Sequence, residues 1–264
     1  MIFKTGYKPD PHTYKRAHFA LYSEHLLPWK ASLLESAPSV LDQNATSSCT
    51  GGSVGAAVTC ALAARGTPLG FVASPRGIYM NARIVDRVAD GAGVLPAVED
   101  GGANPSSVMR GITEWGVRPM RGPTSMGDNY DCEPSNVNNE PTLSELEEEA
   151  THLIVGEYGI ASTGTDRVRD MQEALAGRRP ITVAIAGGSN AFQSYSGGIM
   201  GSIGTSLDHY VWLYGYETQI DGSAVFLGRN QWGTGWGEQG SFRINESGIA
   251  ELGDIVVLDV KVAT

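Results

Sequence analysis

Cysteine is scarce in this chain: Cys49, Cys60 and Cys132 are the three among 264 residues. Three thiols cannot build a disulfide framework, which excludes the small stapled secreted class. No apolar run approaches the ~20 residues needed to span a bilayer. The opening Met1-Ile2-Phe3-Lys4-Thr5-Gly6-Tyr7-Lys8 lacks the apolar core of a signal peptide. These absences set the expectation of a chain that needs no membrane, in a reducing compartment: cytoplasmic, or carried in a virion. Positive charge is also in deficit, 19 Lys and Arg against 29 Asp and Glu, for a net charge of −10. That argues against nucleic acid as a partner. No Walker A sequence, no Cys or His pair at zinc spacing and no calcium loop occurs, so neither metal nor cofactor is expected. Gly235-Trp236-Gly237-Glu238-Gln239-Gly240 has the spacing of a dinucleotide-binding loop. The strand-like alternation of Ser241-Phe242-Arg243-Ile244 follows it where a helix is required, so these glycines read as a turn.

What is present is globular. Hydrophobic residues make up 41% and charged residues 18%, values of a chain that buries a core. Gly, at 34 residues, is in excess and favours turns and close backbone approaches. Residues 1–42 carry Pro9, Pro11, Pro28 and Pro38 and read as an extended lead-in. Helical signals then dominate. Ser53–Ala64 is small and apolar and stops at Gly66. Ser74-Pro75 and Asn104-Pro105 each pair an N-cap with Pro at the first helical position. Thr142 and Ser144, each with Glu three residues on, are capping boxes, and Glu147-Glu148-Glu149 reads as a solvated face. A short helix from Asp166 to Ala176 is closed by Gly177. Strands follow at 181–185, 210–214, 224–227, 241–244 and 255–258, with β-branched and aromatic residues between Gly, Asn and Asp turns. Helices first and strands later imply an α+β fold. Cys60, in the apolar helix, reads as core. Cys132, in the polar Asn129–Pro134 segment, reads as partly exposed.

Three segments carry chemistry. Cys49 follows Gln43-Asn44-Ala45-Thr46-Ser47-Ser48 and precedes the Ser53–Ala64 helix by a few residues. A helix N-terminus stabilises a thiolate, and polar neighbours argue against an apolar burial site. His209, in Leu207-Asp208-His209, stands at the start of an apolar strand. Asn230 opens Asn230-Gln231-Trp232-Gly233-Thr234-Gly235-Trp236-Gly237 at the end of another. Taken singly, each has an ordinary structural reading: a buried Cys, a satisfied His, a turn Asn. Taken together they supply a nucleophile, a base and a group that orients the base without adding charge, with Trp232 placed to shield that contact from water. Gln43 adds a donor for a developing oxyanion.

These segments, in this order, resemble the papain-like cysteine peptidases. The stretch Gly228–Ile244 is similar to that family's Asn segment, Leu207-Asp208-His209 to its His segment, and Gln43 to Cys49 has its spacing. The resemblance spans about residues 28–260. It implies Cys49 as nucleophile, His209 as base and acid, Asn230 as orienter, and Gln43 with the Cys49 N–H as oxyanion hole. It places Gly101-Gly102 against an extended substrate backbone. Tyr210 is placed at the pocket for the side chain two residues before the cleaved bond, where it would favour small or polar residues. The implied architecture is a helical lobe over about 43–150 and a β-barrel-like lobe over about 151–264 joined by the 1–42 lead-in, with the cleft between them. The 1–42 segment is too short for the family's helical inhibitory prosegment, which points to a compact bacterial or viral type. Thr50 stands where an aromatic residue is usual, and Gly51-Gly52 weakens the start of the helix by roughly 1 kcal/mol per Gly relative to Ala. The function implied is hydrolysis of a peptide or protein substrate. The alternatives are a papain-fold amidase or peptidoglycan hydrolase, and a catalytically weak structural protein of a virion or tail with an assembly partner there.

Overall fold

The computed structural model describes residues 2–9, 26–89, 99–121, 131–160 and 162–263. In chain order it contains β1 (Lys30–Ser32), α1 (Cys49–Ala64), α2 (Pro75–Ala89), α3 (Pro105–Glu114) and α4 (Leu143–Glu149). Then come β2 (Ile154–Gly159), α5 (Gly164–Ala176), β3 (Ile181–Ile185), α6 (Asn190–Gln193), β4 (His209–Thr218), β5 (Ala224–Arg229), β6 (Ser241–Asn245), α7 (Glu246–Ile249) and β7 (Gly253–Val262). The fold is α+β, as the order of sequence signals implies. The sheet runs β2-β7-β3-β4-β5-β6, with β1 on β4, and its pairs are antiparallel. It does not close on itself, which corrects the barrel-like lobe expected above.

Strand β4 is the spine of the molecule. Successive side chains of a strand face opposite ways, and both faces of β4 are covered. Tyr210, Trp212 and Tyr214 pack with α1, α2 and α3 in one core. Val211 and Leu213 pack with Met171 and Leu175 of α5, and with Phe192, Trp232 and Phe242, in the other. The strand's own residues therefore divide the two lobes.

Helix α1 is buried on almost every side, as a helix without a polar face must be. It starts at Cys49, earlier than the expected Ser53 and through the glycine pair. A Cβ on Gly51 would lie 2.8 Å from Tyr79 Cβ, and one on Gly55 would lie 2.9 Å from the Ala73 carbonyl. The glycines let α2 and its approach loop press against α1.

The Asn104 and Thr142 caps form as the sequence indicates, whereas Ser144 lies inside α4 and caps nothing. The Asn104 side chain accepts from Ser107 N–H, and Thr142 and Glu145 form a reciprocal capping box. Two expectations fail on tertiary grounds. Glu149 is fully buried, paired with Arg118 and accepting from Asn81 Nδ2 at 2.9 Å. Burial raises its carboxyl above the usual range, and the Arg118 charge opposes that rise. Cys132 is fully buried as well, and burial pushes its thiol up to about 12.

Candidate active site

Cys49 is the first residue of α1, and His209 the first of β4. Gln231 ties these two starts together: its Nε2 donates to the Tyr210 carbonyl at 2.6 Å and the Cys49 carbonyl at 3.3 Å. Ser53 Oγ donates to the same Tyr210 carbonyl at 2.8 Å. The Cys49 sulfur accepts from the backbone N–H groups of Tyr210, Gly6 and Thr50, so the thiol sits beside the His209–Tyr210 peptide. Sequence reading missed Gln231 as the brace of this junction; an amide beside Asn230 carries no local signal of that role.

The imidazole is fixed chemically. His209 Nε2 lies 2.8 Å from Asn230 Oδ1, and the Gln231 N–H donates to that oxygen at 2.8 Å. A backbone N–H can only donate, so the Asn atom between them is the carbonyl oxygen, and His209 carries its proton on Nε2. Nδ1 is then the basic nitrogen. It is buried and has no protein partner. Trp232 stacks on the ring, centroids 4.6 Å apart and planes 26° apart, and Phe192 lies 6.0 Å away. The structure thus brings His209, Asn230 and Trp232 into contact, with the buried Cys49 joined to the start of the same strand through Gln231 and Ser53.

The chain itself lies across the Gln43–Trp232 region. Residues 2–9 cross it, where sequence reading expected only a lead-in. The Lys4 carbonyl accepts from Gln43 Nε2 at 3.1 Å and from Trp232 Nε1 at 3.2 Å. The other Gln43 amide proton goes to the Thr46 carbonyl at 2.7 Å. Phe3 stacks on Trp232 at 4.6 Å. Gly6 passes so close to Ser47 that any Cβ would collide with its backbone, and a Cβ on Gly102, held at φ +86°, would strike the Gly6 carbonyl. The segment pairs with Ala103 through Ala103 N–H to Gly6 O and Lys8 N–H to Ala103 O, each 3.0 Å, and Tyr7 N–H donates to Asp208 O at 3.1 Å. Gly102 therefore permits this close approach, while Ala103 makes the backbone bonds. The Lys4 ammonium donates to Asp100 at 2.7 Å. Burial works to raise the Asp100 carboxyl, but bonds from Lys4, Ser47 N–H and Tyr79 hold it below its usual range.

Under this cover the Cys49 thiol and the His209 imidazole are both neutral. Burial pushes the Cys49 thiol up to about 12 and outweighs the three N–H donors. Burial likewise lowers the His209 pKa to about 4, with the Asn230 bond opposing. The thiolate expected at a helix N-terminus is therefore absent from the covered form, because desolvation exceeds the field of one helix end.

Tyr210 also differs from expectation. Its phenol is engaged within the protein, 3.0 Å from Thr182 Oγ1 and 3.1 Å from the Asp254 carbonyl. Its ring lies parallel to that of Tyr7, centroids 6.0 Å apart. The Tyr7 ring lies against this buried face. Among the described residues no His, Cys, Asp and Glu group has the geometry to hold a metal, and no helix is long and apolar enough to cross a membrane.

Residues 124–255, half of the chain, match the model of the Papain family cysteine protease family. The chain belongs to the papain family. The matched span contains His209 and Asn230; Gln43 and Cys49 precede it. Over 77 residues the sequence is 44% identical to a senescence-specific cysteine protease of Oryza sativa subsp. indica, covering 29% of this chain and 22% of that protein. Over 74 residues it is 47% identical to vignain of Ricinus communis, covering 28% and 20%. Each of these matches spans about a fifth of the curated relative's length. Both relatives are plant proteins, so they lend nothing to the expected bacterial or viral origin. The fold is shared with xylellain, a cysteine protease from Xylella fastidiosa, with a TM-score of 0.73 at 21% identity covering 100% of this chain and 97% of that one. It is shared also with the bromelain protease from Ananas comosus, with a TM-score of 0.62 at 21% identity covering 88% and 98%.

Proposed function

We propose that the protein is a cysteine peptidase that cleaves peptide bonds through Cys49, His209 and Asn230. The observation that carries this reading is the Asn230 oxygen between two donors. It leaves His209 Nδ1 as a buried base without a partner, on the residue next to Tyr210, whose backbone faces the Cys49 thiol. When residues 3–8 leave, water and substrate enter and the desolvation of both groups falls. Nδ1 then takes the thiol proton, and the sulfur attacks the substrate carbonyl. The Gln43 amide proton now given to Lys4 turns to the oxyanion. The imidazolium returns its proton to the leaving amine, and a water deprotonated by Nδ1 hydrolyses the thioester. Asn230 keeps the ring aligned in both charge states.

The test is an epoxysuccinyl thiol probe with mass-spectrometric mapping, run beside a peptide-hydrolysis assay. Wild type should label at Cys49 and cleave peptides. His209→Ala should do neither at a comparable rate. Labelling without peptide cleavage, combined with turnover of purified cell wall, would replace the peptidase reading with the amidase one. Absence of both labelling and turnover after removal of the covering contacts would leave the structural-protein alternative.

A further inference from the structure

Gln231 is bonded to every segment that the proposed chemistry draws on, yet the steps of that chemistry use none of its side-chain atoms. Its backbone N–H donates to Asn230 Oδ1 at 2.8 Å, and its carbonyl accepts from the Gln43 N–H at 2.8 Å. Its side-chain amide reaches the other two segments, donating to the Tyr210 carbonyl at 2.6 Å and to the Cys49 carbonyl at 3.3 Å. Carbonyl oxygens only accept, so the atom facing them is the amide nitrogen, whose two protons match two acceptors. The amide oxygen lies 3.2 Å from Ser53 Oγ, which fixes the amide from its other side. Gln231 is 2% exposed, so solvent does not compete for these bonds. Cys49 opens α1 and His209 opens β4, one from each half of the molecule, and this amide is bonded to both starts.

We propose that Gln231 is a positioning residue whose side-chain amide sets the distance between the Cys49 sulfur and the His209 ring. The proposal rests on the peptidase reading, because that distance matters only if the two groups exchange a proton. Without an N–H donor between them, the Cys49 and Tyr210 carbonyls present like partial charges to one another, and the starts of α1 and β4 move apart. Tyr210 also carries a backbone N–H that faces the Cys49 sulfur, so the same movement draws a donor away from a developing thiolate. A misplacement of about 1 Å between reacting groups can cost ~100-fold in rate. The tie belongs to the side chain alone. The bonds to Asn230 and Gln43 use the Gln231 backbone, so replacing the side chain leaves the orientation of the imidazole and the placing of Gln43 intact.

The experiment measures kcat/KM for one peptide against pH, beside urea unfolding, in the full chain as wild type, Gln231→Met and Gln231→Asn. Met keeps the length of the side chain and offers no N–H; Asn keeps an amide but is one carbon short of the two carbonyls. A thiolate and an imidazolium stabilise each other, so the profile is a bell. Its acid limb marks ionisation of the thiol and its alkaline limb loss of the imidazolium proton. In both variants the acid limb should rise and the alkaline limb fall by about half a pH unit each, the effect of ~1 Å of extra separation on a 4 Å charge pair at an effective dielectric of about 20. The maximum of kcat/KM should drop by about tenfold or more. If Gln231→Met does not fold, Gln231→Asn carries the comparison. A residue that only fills space would lower stability in urea and leave both limbs in place. That result, or a wild-type maximum, overturns the proposal while the peptidase reading stands. If wild type cleaves no peptide, that reading fails instead, and the spacing is judged on the thiol. The pH profile of iodoacetamide labelling at Cys49 should then lie at higher pH in Gln231→Met than in wild type, and coincident profiles overturn the proposal as well.

Discussion

At the scale of single residues, the chemistry turns on how Asn230 and burial set the state of one imidazole. Asn230→Ala removes the acceptor for Nε2–H and frees the ring to take either tautomer. Turnover should fall by about tenfold or more, with an unchanged circular dichroism spectrum, since one positioned base contributes 10²–10⁴ in rate. Full retention of kcat would assign the orientation to the Trp232 stack. Burial of His209 also links protonation to stability. Its folded pKa is about 4, below the ~6.5 of an unfolded histidine. The unfolded chain therefore binds the extra proton between these values and the folded chain does not. Stability contributed by neutral His209 is complete above about pH 6.5 and is lost as pH falls toward 4, on the order of 3 kcal/mol in all. Asp131 and Glu149 are held above their usual carboxyl range by burial and tilt the curve the opposite way. The measurement is therefore a difference: urea unfolding of wild type minus His209→Gln across pH 7 to 4. A flat difference would show that His209 is hydrated in the folded protein.

At the scale of elements, local sequence and tertiary contact give opposite forecasts for Gly51. Helix propensity alone makes Gly51→Ala stabilising by roughly 1 kcal/mol. The structure places the new methyl 2.8 Å from Tyr79 Cβ and closer still to the Pro75 carbonyl, and overpacking costs typically 1–3 kcal/mol. The clash should win, so Gly51→Ala should lower the melting temperature; a rise would mean that α2 shifts away without cost. The same division separates what the sequence made legible from what it did not. Strands β3 to β7, the Asn104 cap and the Thr142 capping box were legible because alternation and capping are local. The segments around Cys49, His209 and Asn230 stood out because each carries a short pattern, and the structure sets His209 against Asn230. Glu149, Cys132 and the glycine pair were misread because their surroundings come from distant parts of the chain: Arg118 for Glu149, Ser48 and Arg83 for Cys132, Pro75 and Tyr79 for Gly51. Removing one partner of a buried pair strands the other, so Glu149→Ala should cost about 3–5 kcal/mol by urea unfolding. A loss under 1 kcal/mol would put Arg118 in reach of water.

At the scale of the whole molecule, residues 2–9 join what the two lobes leave open. Lys4 and Lys8 bond to Asp100 and Ala103 on the helical side. Phe3 and Tyr7 bond to Gln193, Asp208 and Asp254 on the sheet side. No local pattern announced this, because the segment has neither helical nor strand periodicity and its fit depends on a surface assembled from residues up to 247 positions away. Gly6 is the tightest point of the crossing, since a Cβ there has no room beside Ser47, and the Ser47 N–H is itself held by Asp100 at 2.9 Å. Gly6→Ala should therefore lift the segment from Cys49 without touching a group used in the proposed chemistry. In wild type a thiol pushed up to about 12 presents roughly one thiolate in ten thousand at pH 8, and iodoacetamide should label it slowly. In Gly6→Ala the sulfur regains water and the helix field acts on it without the opposing desolvation, so labelling of Cys49 should quicken at least tenfold. Cys60 and Cys132 lie fully buried and serve as internal controls, because faster labelling at all three would indicate unfolding. Equal labelling of Cys49 in the two proteins, with the controls silent, would mean that residues 2–9 do not govern access to the thiol.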